Sequence, residues 1–283
     1  MSDFLAVKLQ YVMPKKALTE FGGWVASGRW GAATTAIIKW FIKKYGVNMA
    51  EAADSNPRNY ASFNDFFTRA LKANARPLAS ATWVCPVDGA ISQFGAIERG
   101  QLFQAKGHHY SAQALVGGDA ALAAPFNDGH FACIYLSPKD YHRIHMPVAG
   151  TLRRMVYVPG DLFSVNPATA QGVPGLFARN ERVVCVFDTA HGTLINVLVG
   201  ATIVGSMATV WHGVVNPPRL AAVSTWHYPA HGEVGCITLQ QGDEMGRFLL
   251  GSTVVMLWPK QGLQFNQGWQ PSGAVRMGEP MAN

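Results

Sequence analysis

Residues 182–199 read RVVCVFDTAHGTLINVLV, and this stretch decides the class of the fold. Two runs rich in β-branched residues, Val183–Thr189 and Thr193–Val199, flank His191-Gly192. That arrangement predicts a β-hairpin turning on a glycine. Runs of the same kind recur on both sides of it: GAISQFGAI (89–97), FACIYLS (131–137), TLRRMVYVPG (151–160), GCITL (235–239) and STVVMLW (252–258). Glycine and proline punctuate them, with no strand–helix alternation of the Rossmann kind and no internal repeat. Residues 79–283 are therefore expected to be a mainly antiparallel β-rich domain. Residues 1–78 read instead as helical. Their clearest helix is expected over 62–71, SFNDFFTRAL, where Ser62 caps, Asp65 stands three positions on, and Phe63, Phe66, Phe67, Ala70 and Leu71 share a face. The class this predicts is α+β, a helical N-terminal layer on an antiparallel β domain.

Composition narrows the function. Only 14% of the 283 residues are charged, and no repeat is present, which excludes a disordered tail protein, a coiled coil and a collagen-like fibre. No apolar run approaches the ~18–20 residues a membrane span needs. Lys8, Gln10 and Lys15 interrupt the apolar stretch of a signal peptide, so none is expected. Cys85, Cys133, Cys185 and Cys236 lie far apart with no Cys-x-x-Cys pair, which speaks against a disulfide scaffold or zinc ribbon and for a reducing interior.

The net charge of +6 is concentrated at one end. Residues 1–50 carry Lys8, Lys15, Lys16, Arg29, Lys39, Lys43 and Lys44 against Asp3 and Glu20, a balance of +5, whereas the rest holds 16 basic and 15 acidic residues. Within this segment, WGAATTAIIKWFIKKY (30–45) places Trp30, Ala33, Ile37, Trp40 and Phe41 at helical spacing, with Lys39, Lys43 and Lys44 towards the other side and end. Two readings stand: a helix lying in an anionic membrane interface, or an ordinary amphipathic helix packed on the protein's own core. No nucleic-acid reading motif accompanies the charge, so no nucleic-acid partner is expected.

Nucleotide motifs are missing, as is the G-x-S-x-G elbow. The densest histidine cluster is SPKDYHRIHMP (137–147), where Pro138 and Pro147 make a regular helix around His142 and His145 improbable. With no second ligand cluster at metal spacing, acid–base chemistry is favoured over a metal site. Asp88 precedes a glycine in CPVDGAIS (85–92), and EMGRFLLGSTVV (244–255) sends a Gly-Ser-Thr into an apolar strand.

Taken in this order, the chain resembles the bacterial phosphatidylserine decarboxylase proenzymes. The resemblance rests on Leu250-Gly251-Ser252-Thr253, on YHRIHMP at 141–147 and on PVDG at 86–89. LQYVMPK (9–15), AKGHHYS (105–111), VPGDLFSVN (158–166), LFARNERV (176–183) and VGATIVGS (199–206) extend it over almost the whole chain. It implies self-cleavage between Gly251 and Ser252, giving a β chain 1–251 and an α chain 252–283. Ser252 Oγ attacks the Gly251 carbonyl, and the ester so formed undergoes β-elimination. The resulting dehydroalanine hydrolyses to a pyruvoyl group and ammonia. That ketone, with neither pyridoxal phosphate nor metal, is the implied electron sink for decarboxylation. The resemblance further assigns His145 as general base, Asp88 as the group stabilising it, and His142 to decarboxylation, although a structural role for His142 fits its residue type equally well. The implied partners are phosphatidylserine, an anionic membrane surface met peripherally on the cytoplasmic side of the cell membrane, and further copies of the processed chain pair in a higher oligomer.

Overall fold

The computed structural model describes residues 3–202, 206–217, 219–250, 253–260 and 262–283, with side chains from residue 7 onward. Three helices open the chain, α1 (Asp3–Val12), α2 (Lys15–Ser27) and α3 (Ala32–Tyr45), and a short α4 (Phe63–Phe67) follows. From Trp83 onward the chain is β-rich, and its named strands pair antiparallel.

A nine-stranded sheet organises the molecule. Its path runs Ser224–His227, Gly150–Val158, Arg182–Thr189, Gly192–Val199, Thr253–Trp258, His130–Tyr135, Gly89–Ala96, Ala274–Val275, and Thr238–Leu239 pairs beside Gly150–Val158. The expected hairpin stands in the middle, one residue off: Thr189 pairs with Gly192, so Ala190 and His191 form the turn, closed by Gly192 at φ +96°. Glycine reaches this angle without a Cβ clash.

Thr253–Trp258 is buried along its whole length and hydrogen-bonded on both sides, to Gly192–Val199 and to His130–Tyr135. Its side chains alternate between two cores, as the period of two demands. Val254, Met256 and Trp258 enter a core roofed by a four-stranded sheet made of Gly213–Asn216, Met207–Thr209, Glu244–Phe248 and Arg143–His145. Val255 and Leu257 enter the other, where short helices such as Ala112–Leu115 and Leu176–Arg179 pack.

The N-terminal layer brings a third cluster, in which Ala26, Ile38, Phe63, Phe66 and Phe67 surround Leu250. Two expectations change here. α4 carries the expected capping box, with Ser62 accepting from Asp65 N and Asp65 answering at Ser62 N, but it ends at Phe67 rather than Leu71. Beyond Thr68 the backbone bridges to residues 51–53, with Ala53 N donating to Ala70 O and Lys72 N to Glu51 O, and these bonds replace further helical turns. In α3 the buried positions are Thr34 and Ile38, one step round from the expected stripe, while Trp30 and Trp40 are exposed.

Candidate active site

The chain crosses from one sheet to the other between Phe248 and Thr253. On the near side Leu249 N donates to Ser206 O at 2.9 Å. Leu250 is buried against the aromatic cluster yet takes φ +138°, a backbone conformation that costs a side-chain-bearing residue of order 1–3 kcal/mol. Gly251 and Ser252, the expected cleavage pair, lie outside the described residues. On the far side Thr253 opens the central strand, its Oγ1 buried without a hydrogen-bond partner.

Sheet register places Asp88 at this same end. Ala90, Tyr135, Thr253 and Val199 form one row across four strands, so Asp88 sits just before the row, at the end of the sheet where Thr253 opens the central strand. Gly89 is required between them, because a Cβ there would stand 2.3 Å from Tyr135 O. The Asp88 carboxylate is gripped by Arg76, whose Nε lies 2.9 and 3.2 Å from its two oxygens and whose Nη2 also donates to Oδ2. Met277 N donates to Asp88 Oδ1 at 2.9 Å, and Arg76 Nη2 reaches Glu51 at 2.7 Å. The guanidinium holds the Glu51 carboxyl below its ordinary value.

His145 is brought to the same end by its backbone, where its N–H donates to Pro86 O at 2.9 Å. It lies on the strand Arg143–His145, in agreement with the two prolines that argued against a helix. Its Nδ1 lies 2.8 Å from Gly242 O and its Nε2 3.1 Å from Tyr141 Oη. A carbonyl can only accept, so Nδ1 carries the proton and Nε2 keeps the lone pair, accepting from Tyr141. Burial lowers the pKa of His145, while the Gly242 bond and the charges of Glu244 and Asp88 oppose this. Burial pushes the Tyr141 phenol up to about 12. The geometry is that of a neutral base. Asp88 acts on it through space, with its hydrogen bonds directed to Arg76 and Met277.

His142 is fully buried, its ring 4.0 Å from that of Phe67. Nδ1 donates to Asp140 O at 2.8 Å, which leaves the lone pair on Nε2, and Nε2 has no partner. Burial pulls its pKa down to about 3, with the Arg69 charge adding to the effect. As it stands, His142 offers a free hydrogen-bond acceptor at Nε2.

Two cavities meet along Tyr135. One, about 230 Å³, is lined by Phe41, Phe67, Tyr135, Leu136 and Leu250. The other, about 490 Å³, is walled by Arg69, Arg76, Asp88, Tyr135, Lys139 and Tyr141, among others.

The sequence profile of a family described as phosphatidylserine decarboxylase matches residues 63–283, and a second, described as PSD, matches residues 5–46. The chain belongs to the phosphatidylserine decarboxylase family. The relatives match over nearly their full length. A phosphatidylserine decarboxylase proenzyme of Polaromonas naphthalenivorans is 70% identical over 283 residues, covering 100% of this chain and 98% of the relative. Proenzymes of the same name from Albidiferax ferrireducens and Delftia acidovorans are each 68% identical, over 282 and 283 residues, with the same coverage. Among the described residues of this family member, no group of three or more His, Cys, Asp or Glu is placed to hold a metal ion, and no helix is long and apolar enough to cross a membrane.

Sequence reading missed Arg76, Tyr141 and the Met277 N–H. Tyr141 stands within the family motif YHRIHMP, four residues before His145, and could have been singled out there. Nothing in the sequence ties Arg76 or Met277 to Asp88.

Proposed function

We propose that this family member is a self-processing enzyme that cleaves itself between Gly251 and Ser252 and then converts phosphatidylserine to phosphatidylethanolamine and carbon dioxide. The observation that carries the reading is the link itself. The chain passes from one sheet to the other between Phe248 and Thr253, a strained Leu250 opens the family motif there, and a buried histidine and an aspartate stand at the same sheet end. Two orphaned buried polar atoms, Thr253 Oγ1 and His142 Nε2, fit a site that receives a reacting carbonyl and an amine.

In the cleavage step His145 Nε2 takes the Ser252 hydroxyl proton once the Tyr141 hydroxyl turns aside. Asp88, kept oriented by Arg76 and Met277, stabilises the imidazolium that results. The pyruvoyl group formed from Ser252 supplies the electron sink for decarboxylation. His142 Nε2 relays a proton to the carbon that loses CO2, its basicity raised by the negative charge that the substrate brings beside it. The apolar wall of Phe67 around it favours loss of a carboxylate's charge.

Residues 1–78 serve as the membrane-associating region and 79–283 as the catalytic region. Phe21 (63% exposed), Trp24 (65%) and Trp40 (56%) stand out from α2 and α3, with Lys39, Lys43 and Lys44 exposed beside them. Such a mixture suits the headgroup layer of an anionic membrane, met peripherally on the cytoplasmic side. Replacing those three lysines with Glu weakens sedimentation with anionic vesicles, most visibly at low salt, and unchanged binding removes the membrane assignment. The processed chains associate as a higher oligomer, which sedimentation of the detergent-bound enzyme reads directly.

The deciding experiment is the mass of the C-terminal fragment. The expected species is 252–283, lighter by one ammonia than simple hydrolysis leaves it, and Ser252→Ala gives one intact chain without activity. An intact chain that still decarboxylates the lipid refutes the reading.

A further inference from the structure

Arg69 is 4% exposed and stands on the wall of the 490 Å³ cavity beside Asp88. Its Nη2 makes one long bond, 3.2 Å to Lys139 O, and its Nε and Nη1 have no acceptor. Withdrawing a guanidinium from water without a counter-ion is costly, and the face of Phe66, 5.5 Å away, offsets little of that. The carboxylates of the same wall are committed elsewhere. Asp88 and Glu51 both bind Arg76, and Asp140 accepts from Ser137 N at 2.6 Å and Ser137 Oγ at 2.7 Å. The exposed Lys139 ammonium adds a second cation to this wall. The cavity therefore has cations enough for one more anion.

We infer that Arg69, assisted by Lys139, binds the phosphodiester of the substrate headgroup, an assignment that rests on the reading above and deepens it. The substrate carries two anions, and chemistry separates them. A cation on the carboxylate would stabilise the ground state of a group that must lose its charge, whereas a guanidinium fork on the phosphodiester holds equally before and after reaction. Tyr135 walls both cavities and pairs with Thr253 in the sheet, so a headgroup reaching from the Thr253 end of the central strand to a phosphate at Arg69 passes along Tyr135, only a few bonds separating its amine from its phosphate.

The test uses the full-length Ser252→Ala chain, which cannot capture an amine covalently, and measures dissociation constants by calorimetry. Glycerophosphoserine is expected to bind at least ten-fold more tightly than O-methylserine and than inorganic phosphate. Adding Arg69→Gln weakens glycerophosphoserine by ten-fold or more, about 1.4 kcal/mol, and leaves O-methylserine unchanged. Arg69→Lys falls between. Lys139→Gln, on an exposed side chain that folding does not need, weakens glycerophosphoserine two- to five-fold. Unchanged glycerophosphoserine binding in a folded Arg69→Gln chain overturns the proposal, as does an unchanged constant in Lys139→Gln should Arg69→Gln not fold. Inorganic phosphate binding as tightly as glycerophosphoserine overturns the headgroup assignment. None of these constants depends on self-cleavage, so the cleavage reading stands or falls separately through the fragment mass.

Discussion

The two sides of residues 251–252 are built unlike one another. On the C-terminal side Thr253–Trp258 is the centre of the nine-stranded sheet, paired along both edges and filling two cores. Burial of Val254, Val255, Met256, Leu257 and Trp258 contributes about 1.5–3 kcal/mol for each side chain, as an upper figure. On the N-terminal side Glu244–Phe248 belongs to the smaller sheet, and the chain leaves it through Leu249 into the positive-φ Leu250. The contrast shows how a chain can be cut without falling apart. Under the proposed cleavage, strain collects at Leu250 on the N-terminal side, while the short C-terminal piece is held by the sheet. Residues near the C-terminus add to that hold: Pro280–Ala282 pairs with Trp83–Val84, Ala274–Val275 with Gly89–Ala90, and Met277 N donates to Asp88.

Experiments can break this asymmetry at several points. The largest effect is kinetic. His145→Ala slows self-cleavage by about a hundred- to ten-thousand-fold, read as the fraction of intact chain on a denaturing gel over time, while its urea midpoint moves little. Cleavage at the wild-type rate would dismiss His145 as the base.

Next comes the anchored side. Trp258→Ala in the Ser252→Ala background loses about 3–5 kcal/mol by urea unfolding, because the whole indole is buried. A loss below 1 kcal/mol would mean that the strand is not the anchor.

The near side is sharpened by pH, since Phe248 N donates to His142 O at 3.0 Å and that histidine is buried neutral. Its folded pKa lies near 3 against 6.5 when free. Between those values the unfolded chain takes up a proton that the folded chain refuses, so its contribution is complete above pH 6.5 and is lost as pH falls. The slope is about 1.4 kcal/mol per unit. The unfolding free energy from urea titration should fall between pH 7 and pH 5 by about 2 kcal/mol more in the parent chain than in His142→Gln. Parallel curves would place the acid sensitivity elsewhere.

The smallest effect tests the strain. In the uncleavable background Leu250→Gly should be more stable than Leu250→Ala by about 1 kcal/mol, the reverse of the usual order, because glycine adopts φ +138° freely. The usual order would show that no strain is stored there.

Much of this architecture could be read from local pattern. The β runs, the hairpin at 182–199 to within one residue and the capping box at Ser62 are set by neighbours close in sequence. α4 fell short of the expected ten residues because Ala70 and Leu71 bond backwards to residues 51–53, a choice that local propensity does not encode. The exposed Trp40 and buried Ile38 of α3 show a similar limit: helical spacing predicts that a face exists, whereas the rest of the molecule decides which face is covered.

The sequence by itself determined which candidate residues were present for the proposed chemistry, His142, His145, Asp88 and the Gly251-Ser252 pair, and that the run STVVMLW (252–258) would be a strand. Only the tertiary structure decided that this strand lies at the centre of the sheet, that Pro86 ties His145 to the end where Asp88 sits, and that Arg76 and Met277 grip the aspartate. It also decided that burial lowers the pKa of both histidines. The physical reason is the range of the forces involved. Turn and strand preferences are settled within a few residues, whereas desolvation and charge pairing depend on atoms that only the folded chain brings together.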